Sequence, residues 1–391
     1  MQEVAYCPFD RVPTHARWHP GHRRFAVVAS SVMLSACASF GGPQRLTLEV
    51  PPLAGAGGDT TAALPETDAF LAIDDGMRQL VDAQLKPVVD PVDRLRRLSA
   101  MLLGPEGLGI GYDGGLTLTA REAFQNRAGN CLSFTALLVV LAREAGLAAR
   151  FQDVPVLPKW RVSGTTFIVE RHVNALVRVG SRDFVIDFRP PEAATYSRVR
   201  VIDDANAVAQ YFGNLGVDRF TAGDLAGAYQ LYRRGLQVDP RAAALWLNIG
   251  VVFGRNRQWP EAELAYRNTL ILDPGNLSAL NNLALLLQQR GDVASARRLS
   301  ARVESYRRKN PYYLYWLGEK HLQAGALHEA LTSFGAALRF LPDEADFHFA
   351  MARTYRALGR AKDAERSLQA ALERAPSASI RERYVREYRQ P

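Results

Sequence analysis

The stretch Trp246-Leu-Asn-Ile-Gly-Val-Val-Phe-Gly-Arg-Asn-Arg-Gln-Trp-Pro-Glu-Ala-Glu-Leu-Ala-Tyr-Arg-Asn-Thr-Leu-Ile-Leu-Asp-Pro274 reads as a pair of helices. Trp246, Ile249, Gly250 and Phe253 recur at helical spacing, followed by Ala262 and Tyr266, and the stretch closes on a proline. Prolines fall at 240, 274, 342 and 376, in steps of 34, 68 and 34 residues. A fixed step of that size marks stacked units, each a helix pair that buries its apolar face against the next. Gly and Ala let the paired helices approach, while Trp, Phe and Tyr fill the gaps between units. Those positions are core and not a site.

Other copies keep the skeleton: Gly216, Ala228, Tyr232, Pro240; Leu317, Gly318, Ala330, Phe334, Pro342; and Ala352, Tyr355, Ala364, Ala371, Pro376. The third copy has Leu280, Leu283, Ala284, Leu287 and Ala296 but no proline near Arg308, so its second helix is expected to run longer, toward Pro311. The skeleton resembles the tetratricopeptide repeat. That resemblance implies an all-α superhelix of five repeats over residues 203–376 and a short terminal helix over 377–391. Its inner face, expected from Asn281, Gln288, Tyr312, Tyr315, Glu319, Arg353 and Arg356, suits a protein or peptide partner.

At 391 residues the chain exceeds one hydrophobic core, so at least two domains are expected. Its formal charge of +8 lies mostly in residues 201–391, which hold 26 basic against 20 acidic side chains. Much of this excess is local, around Arg307, Arg308 and Lys309, and reads as solvated helix faces. Without an aromatic-interleaved groove motif, nucleic acid is not an expected partner.

His22, Arg23 and Arg24 precede the twelve apolar residues Phe25 to Ala36, which meet Cys37. Twelve residues are too few to span a bilayer, for which about 20 are needed. Leu34-Ser35-Ala36-Cys37 resembles the lipobox of bacterial lipoproteins. The resemblance implies a signal peptide over 1–36, lipidation of Cys37 and, because Ala38 and not Asp follows, an outer-membrane anchor. Residues 37–65, rich in Gly, Pro, Ala and Thr, are expected as a flexible tether. After processing, Cys131 is the one remaining unmodified thiol, and an odd thiol in an oxidising compartment suggests reactivity.

The run Cys131 to Gly146 is apolar on all sides for three turns, so its helix should be buried, with Asn130 as N-cap. Cys131 then stands at the positive end of the helix dipole, where thiolate is favoured. Phe167 to Val179 alternates, with Val173, Ala175 and Val177 on one face and His172, Asn174 and Arg178 on the other. If Gly180-Ser181 makes a two-residue hairpin, facing residues sum to 361, Asn174 opposes Asp187, and His172 and Asp187 become diagonal neighbours on one face. His172 then serves as base to Cys131 and Asp187 orients it. The Cys131 amide and the Gln125 side chain are candidate oxyanion donors. Gly107 to Gly115 reads as a plain flexible loop, and Thr119 with Glu122 as a capping box.

Order and spacing over residues 112–190 resemble the transglutaminase-like branch of the papain-like cysteine enzymes. The resemblance implies an α+β domain over 66–202, with Cys131 as nucleophile, His172 as base and Asp187 as orienter. It further implies cleavage or transfer of an amide acyl group through a thioester, helped by repeats that recruit the substrate. The alternative is a noncatalytic scaffold with a degenerate first domain. Leu132 and Val173-Asn174 stand where the family often carries tryptophan, which leaves hydrolysis more open than crosslinking. No cofactor and no metal is expected, since the downstream histidines form no ligand cluster.

Overall fold

The computed structural model describes residues 2–6, 46–55, 64–104, 107–154, 160–163, 166–170, 172–188, 199–375 and 378–389. The expected lipid site Cys37 and most of the expected leader and tether lie outside these. Five residues of the expected leader, Gln2–Tyr6, form strand β1. A 3-10 turn at Ala69–Leu71 precedes helices α1 (Asp75–Gln84) and α2 (Pro91–Leu103). Asp74 caps α1 by accepting from the Met77 amide, and Asp90 caps α2 with proline at its first position. Their apolar stripes bury Met77, Val81, Leu95, Leu98 and Leu102.

Next come β2 (Gly111–Tyr112), α3 (Ala120–Asn126), β3 (Ala128–Gly129) and α4 (Cys131–Glu144). Thr119 and Glu122 close the expected capping box on α3. Strands β4 (Ala148–Val154), β5 (Trp160–Ser163), β6 (Thr166–Glu170), β7 (His172–Val179), β8 (Arg182–Ile186) and β9 (Arg200–Ile202) follow. A four-stranded antiparallel sheet of order β8-β7-β4-β9 packs against α4, and a three-stranded sheet of order β1-β6-β5 stands apart from it. The alternating run 167–179 is therefore two strands in two sheets, divided between Glu170 and His172, because alternation reports which face a residue takes and not which partner its backbone finds.

Five helical hairpins complete the chain. They are α5 (Asp204–Thr221) with α6 (Leu225–Val238), α7 (Ala243–Arg255) with α8 (Trp259–Leu272), α9 (Leu277–Gln289) with α10 (Val293–Arg307), α11 (Pro311–Gln323) with α12 (Leu327–Phe340), and α13 (Ala345–Ala357) with α14 (Ala361–Arg374). The lengthening expected of the third pair is one residue, 15 in α10 against 14 in α8. Helix α15 (Ala378–Arg389) covers the open end, its Tyr384 buried on Phe349 and donating to Asp346 at 2.7 Å.

The core does not break at residue 203. Ala207, Val208, Tyr211 and Phe212 of α5 join the core built on α4, Phe70 stacks on Tyr211 at 4.8 Å, and Arg143 pairs with Asp204 at 2.7 Å. The repeats are consequently held in a set position relative to the sheet. Residues 46–55, expected as tether, are likewise docked: Tyr229 donates to the Pro51 carbonyl at 2.8 Å, Asn256 to that of Ala54 at 2.8 Å, and Gln258 to that of Pro52 at 3.1 Å. Composition says this segment has little to bury, yet Val50 and Leu53 pack against the repeat core, and side-chain amides of the repeats satisfy its backbone.

One contact sets the spacing inside the hairpins. A Cβ built on Gly216, Gly250 or Gly318 would lie 2.3, 2.7 or 2.4 Å from the ring of Tyr232, Tyr266 or Phe334 respectively, each sixteen residues on. In the third and fifth copies the small position is Ala284 or Ala352, and the residue sixteen on is Ser300 or Leu368, so the extra methyl accompanies a smaller partner. Gly318→Ala is expected to lower stability by about 1–3 kcal/mol through overpacking, and Phe334→Leu in the same chain to recover part of that loss. Thermal melts of the two single variants and the double variant check it; additive losses would refute the direct contact.

Candidate functional site

The site begins with how α4 starts. Asn130 accepts from the amides of Leu132 at 3.1 Å and Ser133 at 3.0 Å, while its own amide donates to Thr117 at 2.7 Å. Ser133 donates to Asn130 at 3.1 Å and accepts from the Leu118 amide at 2.7 Å. The glycine-rich run is part of this framework and not a free loop: Gly111 donates to the Arg127 carbonyl at 2.8 Å, and Asp113 to that of Gly129 at 3.1 Å. Gly129 has φ of +159°, and a side chain there would lie 2.8 Å from the Ser133 Cβ. Cys131 therefore occupies the first helical position, half-buried, at the dipole's positive end.

The β7–β8 hairpin supplies the other two groups. Its register runs from Val179 opposite Arg182 to Ala175 opposite Ile186, with Gly180 at φ +60°, so facing residues sum to 361 as the two-residue turn requires. One step beyond, Asn174 donates to Asp187 Oδ2 at 3.1 Å, and His172 Nε2 lies 2.7 Å from the same oxygen. His172 hydrogen-bonds the Cys131 thiol, which leaves Nδ1 as the nitrogen that faces sulfur. The structure thus brings Cys131, His172 and Asp187 together.

Their electrostatics oppose burial and overcome it. Burial pushes the Cys131 thiol up, but the hydrogen bond and charge of His172, with the Val173 amide donating to sulfur, bring it below the ordinary thiol value. Burial would likewise lower His172, yet the bonds and charges of Asp187 and Cys131 raise it from 6.5 to about 9. Both shifts favour thiolate beside imidazolium, the arrangement in which a cysteine attacks a carbonyl and an imidazolium protonates a leaving group.

The face carrying His172 and Asn174 is buried and not merely wet. Gln152 lies opposite Asn174 on β4, and the Gln152 Oε1 and Asn174 Oδ1 oxygens are buried with no hydrogen-bond partner among the described residues. The sequence placed Asn174 opposite Asp187 but assigned it no task; Gln152 gave no signal, since nothing in the sequence pairs β4 with β7. Gln125 is not at the site: its amide donates to Asp74 at 3.0 Å, on the outer side of α3. Of the residues expected on the inner face of the repeats, Arg353 and Glu319 pair with each other at 3.5 Å, while Tyr312 is buried, Tyr315 stacks on Phe347 at 4.9 Å, and Arg356 sits over the Tyr388 ring of α15. Among the described residues, no group of three or more His, Cys, Asp or Glu could hold a metal, and no helix is long and apolar enough to cross a membrane.

Models of the tetratricopeptide repeat match residues 214–276, 249–308 and 281–345, and a further one matches 321–382. The C-terminal region is a stack of such repeats. The chain is 32% identical over 102 residues to the N-terminal acetyltransferase A complex auxiliary subunit NAA15 of Arabidopsis thaliana, covering 25% of this chain and 11% of that protein. It is 31% identical over 116 residues to the N-alpha-acetyltransferase 16, NatA auxiliary subunit, of Mus musculus, covering 30% and 13%. The chain therefore spans 11–13% of the length of these curated relatives. Among solved structures, YrrB, described as a TPR protein with an unusual peptide-binding site, is 20% identical over 46% of this chain and 92% of its own, with a TM-score of 0.25. TTC0263, a thermophilic TPR protein of Thermus thermophilus, is 20% identical over 46% and 97%, with a TM-score of 0.27.

Two outcomes follow from the site. Iodoacetamide should label Cys131 readily near pH 7, and His172→Ala should slow this by about tenfold or more, read by mass spectrometry on the peptide holding Cys131. Equal rates would show that the imidazole does not activate the thiol. Stability should change little with alkali between pH 6.5 and about 9, because a folded His172 keeps there a proton that an unfolded one loses, while a folded Cys131, lowered beside it, gives up one that an unfolded thiol keeps. In Cys131→Ala, where Asp187 alone raises His172, the opposing loss is gone and stability should fall as pH rises above 6.5, read in melts recorded across this range; a flat profile would show that folding does not raise His172.

Proposed function

We propose that the chain is a repeat scaffold that binds a protein or peptide partner. The family matches, confined to the repeats, favour this binding role, which is the scaffold alternative stated from the sequence. The observation that carries a peptide as partner is the way repeat amides already hold an extended backbone. Asn268 donates to the Thr47 carbonyl at 2.6 Å and accepts from the Thr47 amide at 3.4 Å, a two-point grip on one residue regardless of its side chain.

A second reading is favoured by a separate observation, the contact of thiol, imidazole and carboxylate at Cys131, His172 and Asp187. On that reading the domain over 66–202 is a transglutaminase-like cysteine hydrolase or acyl transferase acting on what the repeats recruit. The Cys131 sulfur attacks an amide carbonyl, the C–N bond breaks as His172 protonates the departing nitrogen, and water or an amine then takes the acyl group from the thioester. Lipidation at Cys37 would hold the protein at the outer membrane of a bacterial envelope.

Envelope proteins and peptidoglycan compared by mass spectrometry between wild-type and Cys131→Ala cells decide between the two readings. An accumulated uncleaved species in the variant, with partner capture on the repeats unchanged, supports the enzyme. Identical profiles with identical capture support the scaffold alone. Purified Cys131→Ala should lose at least about a thousandfold in turnover of any substrate so found.

A further inference from the structure

We infer that the outward face of α10 lies on the anionic phospholipid surface in which Cys37 is anchored, so that the second helix of the third repeat looks toward the membrane. The inference rests on the lipoprotein reading for the anchor, and on the charge and shape of α10 for the surface itself. From Val293 to Lys309 the chain carries six basic residues against one acidic residue, Glu304. Ala296 and Val303 are buried against the stack, whereas Arg297, Arg298, Arg302, Arg308 and Lys309 are all exposed. At about 100° per residue the four arginines fall within roughly 140° of the helix circumference, and Lys309 follows at its end. Ala294, Ala301 and Ser305, also exposed, run along the middle of that arc. Small side chains on the midline let the helix lie flat, while long cations on both flanks reach phosphates to either side.

These charges are not spent within the protein. Among the described residues only Arg308 of the five forms an ion pair, with Glu304 at 3.7 Å, while Arg298 donates to Ser295 at 2.7 Å and Arg302 to the Pro274 carbonyl at 2.9 Å. By contrast, Arg234 of α6 pairs with Glu66 at 3.6 Å, Arg267 of α8 with Glu263 at 2.7 Å, and Arg374 of α14 with Asp343 at 3.2 Å. A nucleic acid carries the same negative charge, but none of the exposed residues of α10 is an aromatic on which a base stacks.

The reach of the anchor brings this face to the lipid. Thr47, gripped by Asn268 of α8, is ten residues beyond Cys37, and ten residues span at most about 35 Å when fully extended. Asn268 is six residues before Pro274, whose carbonyl accepts from Arg302, so the grip and the basic face lie toward the C-terminal ends of neighbouring second helices. Leu48, next to the grip, is 47% exposed and stands ready for the boundary between headgroups and acyl chains. An anchor of this length keeps α10 at high effective concentration beside headgroups, and an acyl group with a basic patch is the pair of signals that makes attachment stable.

The test uses the full chain with Cys37→Ser, which carries no acyl group, and vesicles of phosphatidylcholine alone or with about one-third phosphatidylglycerol. Co-sedimentation should be about tenfold or more stronger on the anionic vesicles, and salt raised to about 0.5 M should remove most of that preference. Arg297→Gln, Arg298→Gln and Lys309→Gln together should remove it likewise. Lys362→Gln, Arg366→Gln and Arg386→Gln, which take the same charge from exposed positions of α14 and α15, should leave it within about twofold. Residues 1–36 are common to every variant, so their own attraction cancels in these ratios. No preference for anionic vesicles, equal losses from the two triple variants, or tighter binding to an oligonucleotide than to the anionic vesicles overturns the surface. In cells producing the chain with Cys37 intact, a photo-crosslinking p-benzoylphenylalanine in place of Ala301 should yield lipid adducts, and one in place of Gln369 on α14 should yield none. Absence of adducts at position 301 overturns the docking. Cys37 found without acyl chains by mass spectrometry, alongside a retained vesicle preference, overturns the lipoprotein reading and the placement of the face with it, but leaves α10 a lipid-binding surface.

Discussion

Eleven consecutive residues of α4, Leu132 to Ala142, are buried, and the position of that helix governs everything around it. A helix apolar on every side can be accommodated only if neighbours enclose it completely. Helices α1, α2 and α3, the sheet, and through Phe212 and Tyr211 the first repeat all contribute to that enclosure. What emerges from the enclosure is the first turn, held by Asn130, Ser133 and Thr117, and it emerges with the Cys131 thiol against the His172 end of β7. The polar work of the molecule is done where the apolar constraint stops.

Electrostatics at that point run against the surroundings. An isolated thiolate or imidazolium would be penalised by burial, and each is favoured only because the other, and Asp187, are within hydrogen-bond reach. Asn174 then matters twice, donating to the Asp187 oxygen that serves His172 and presenting a buried, unpartnered oxygen beside Gln152. Such a cluster is more costly to leave half-made than to leave out, which is why its assembly weighs more than the presence of any one of its members.

The repeats solve a different problem, that of spacing. A glycine under an aromatic ring brings each hairpin close, while larger residues fill the seams between hairpins. Extended backbone lies along the stack, β1 against α5, α7 and α9, and residues 46–55 against α6 and α8, where Asn268 holds Thr47. Since Ala207, Val208, Tyr211 and Phe212 of α5 belong to the core built on α4, the first repeat and the helix that begins at Cys131 share one packed core.

Period, small-residue positions and proline steps determined the repeats without any structure, because each unit meets only its neighbours and local pattern suffices. The cysteine's helix, its cap, the Gly180-Ser181 hairpin and the pairing of His172 with Asp187 were legible for a related reason: turn length sets register, and register sets which side chains meet. Tertiary structure alone decided the rest. It divided the run from Phe167 to Val179 between two sheets, sent Gln125 to Asp74, drew residues 46–55 onto the repeats, and laid β1 against α5, α7 and α9. In each of these a backbone or amide found its partner far along the chain, and hydrogen-bonding capacity, unlike hydrophobic period, leaves no mark in sequence of where it will be satisfied.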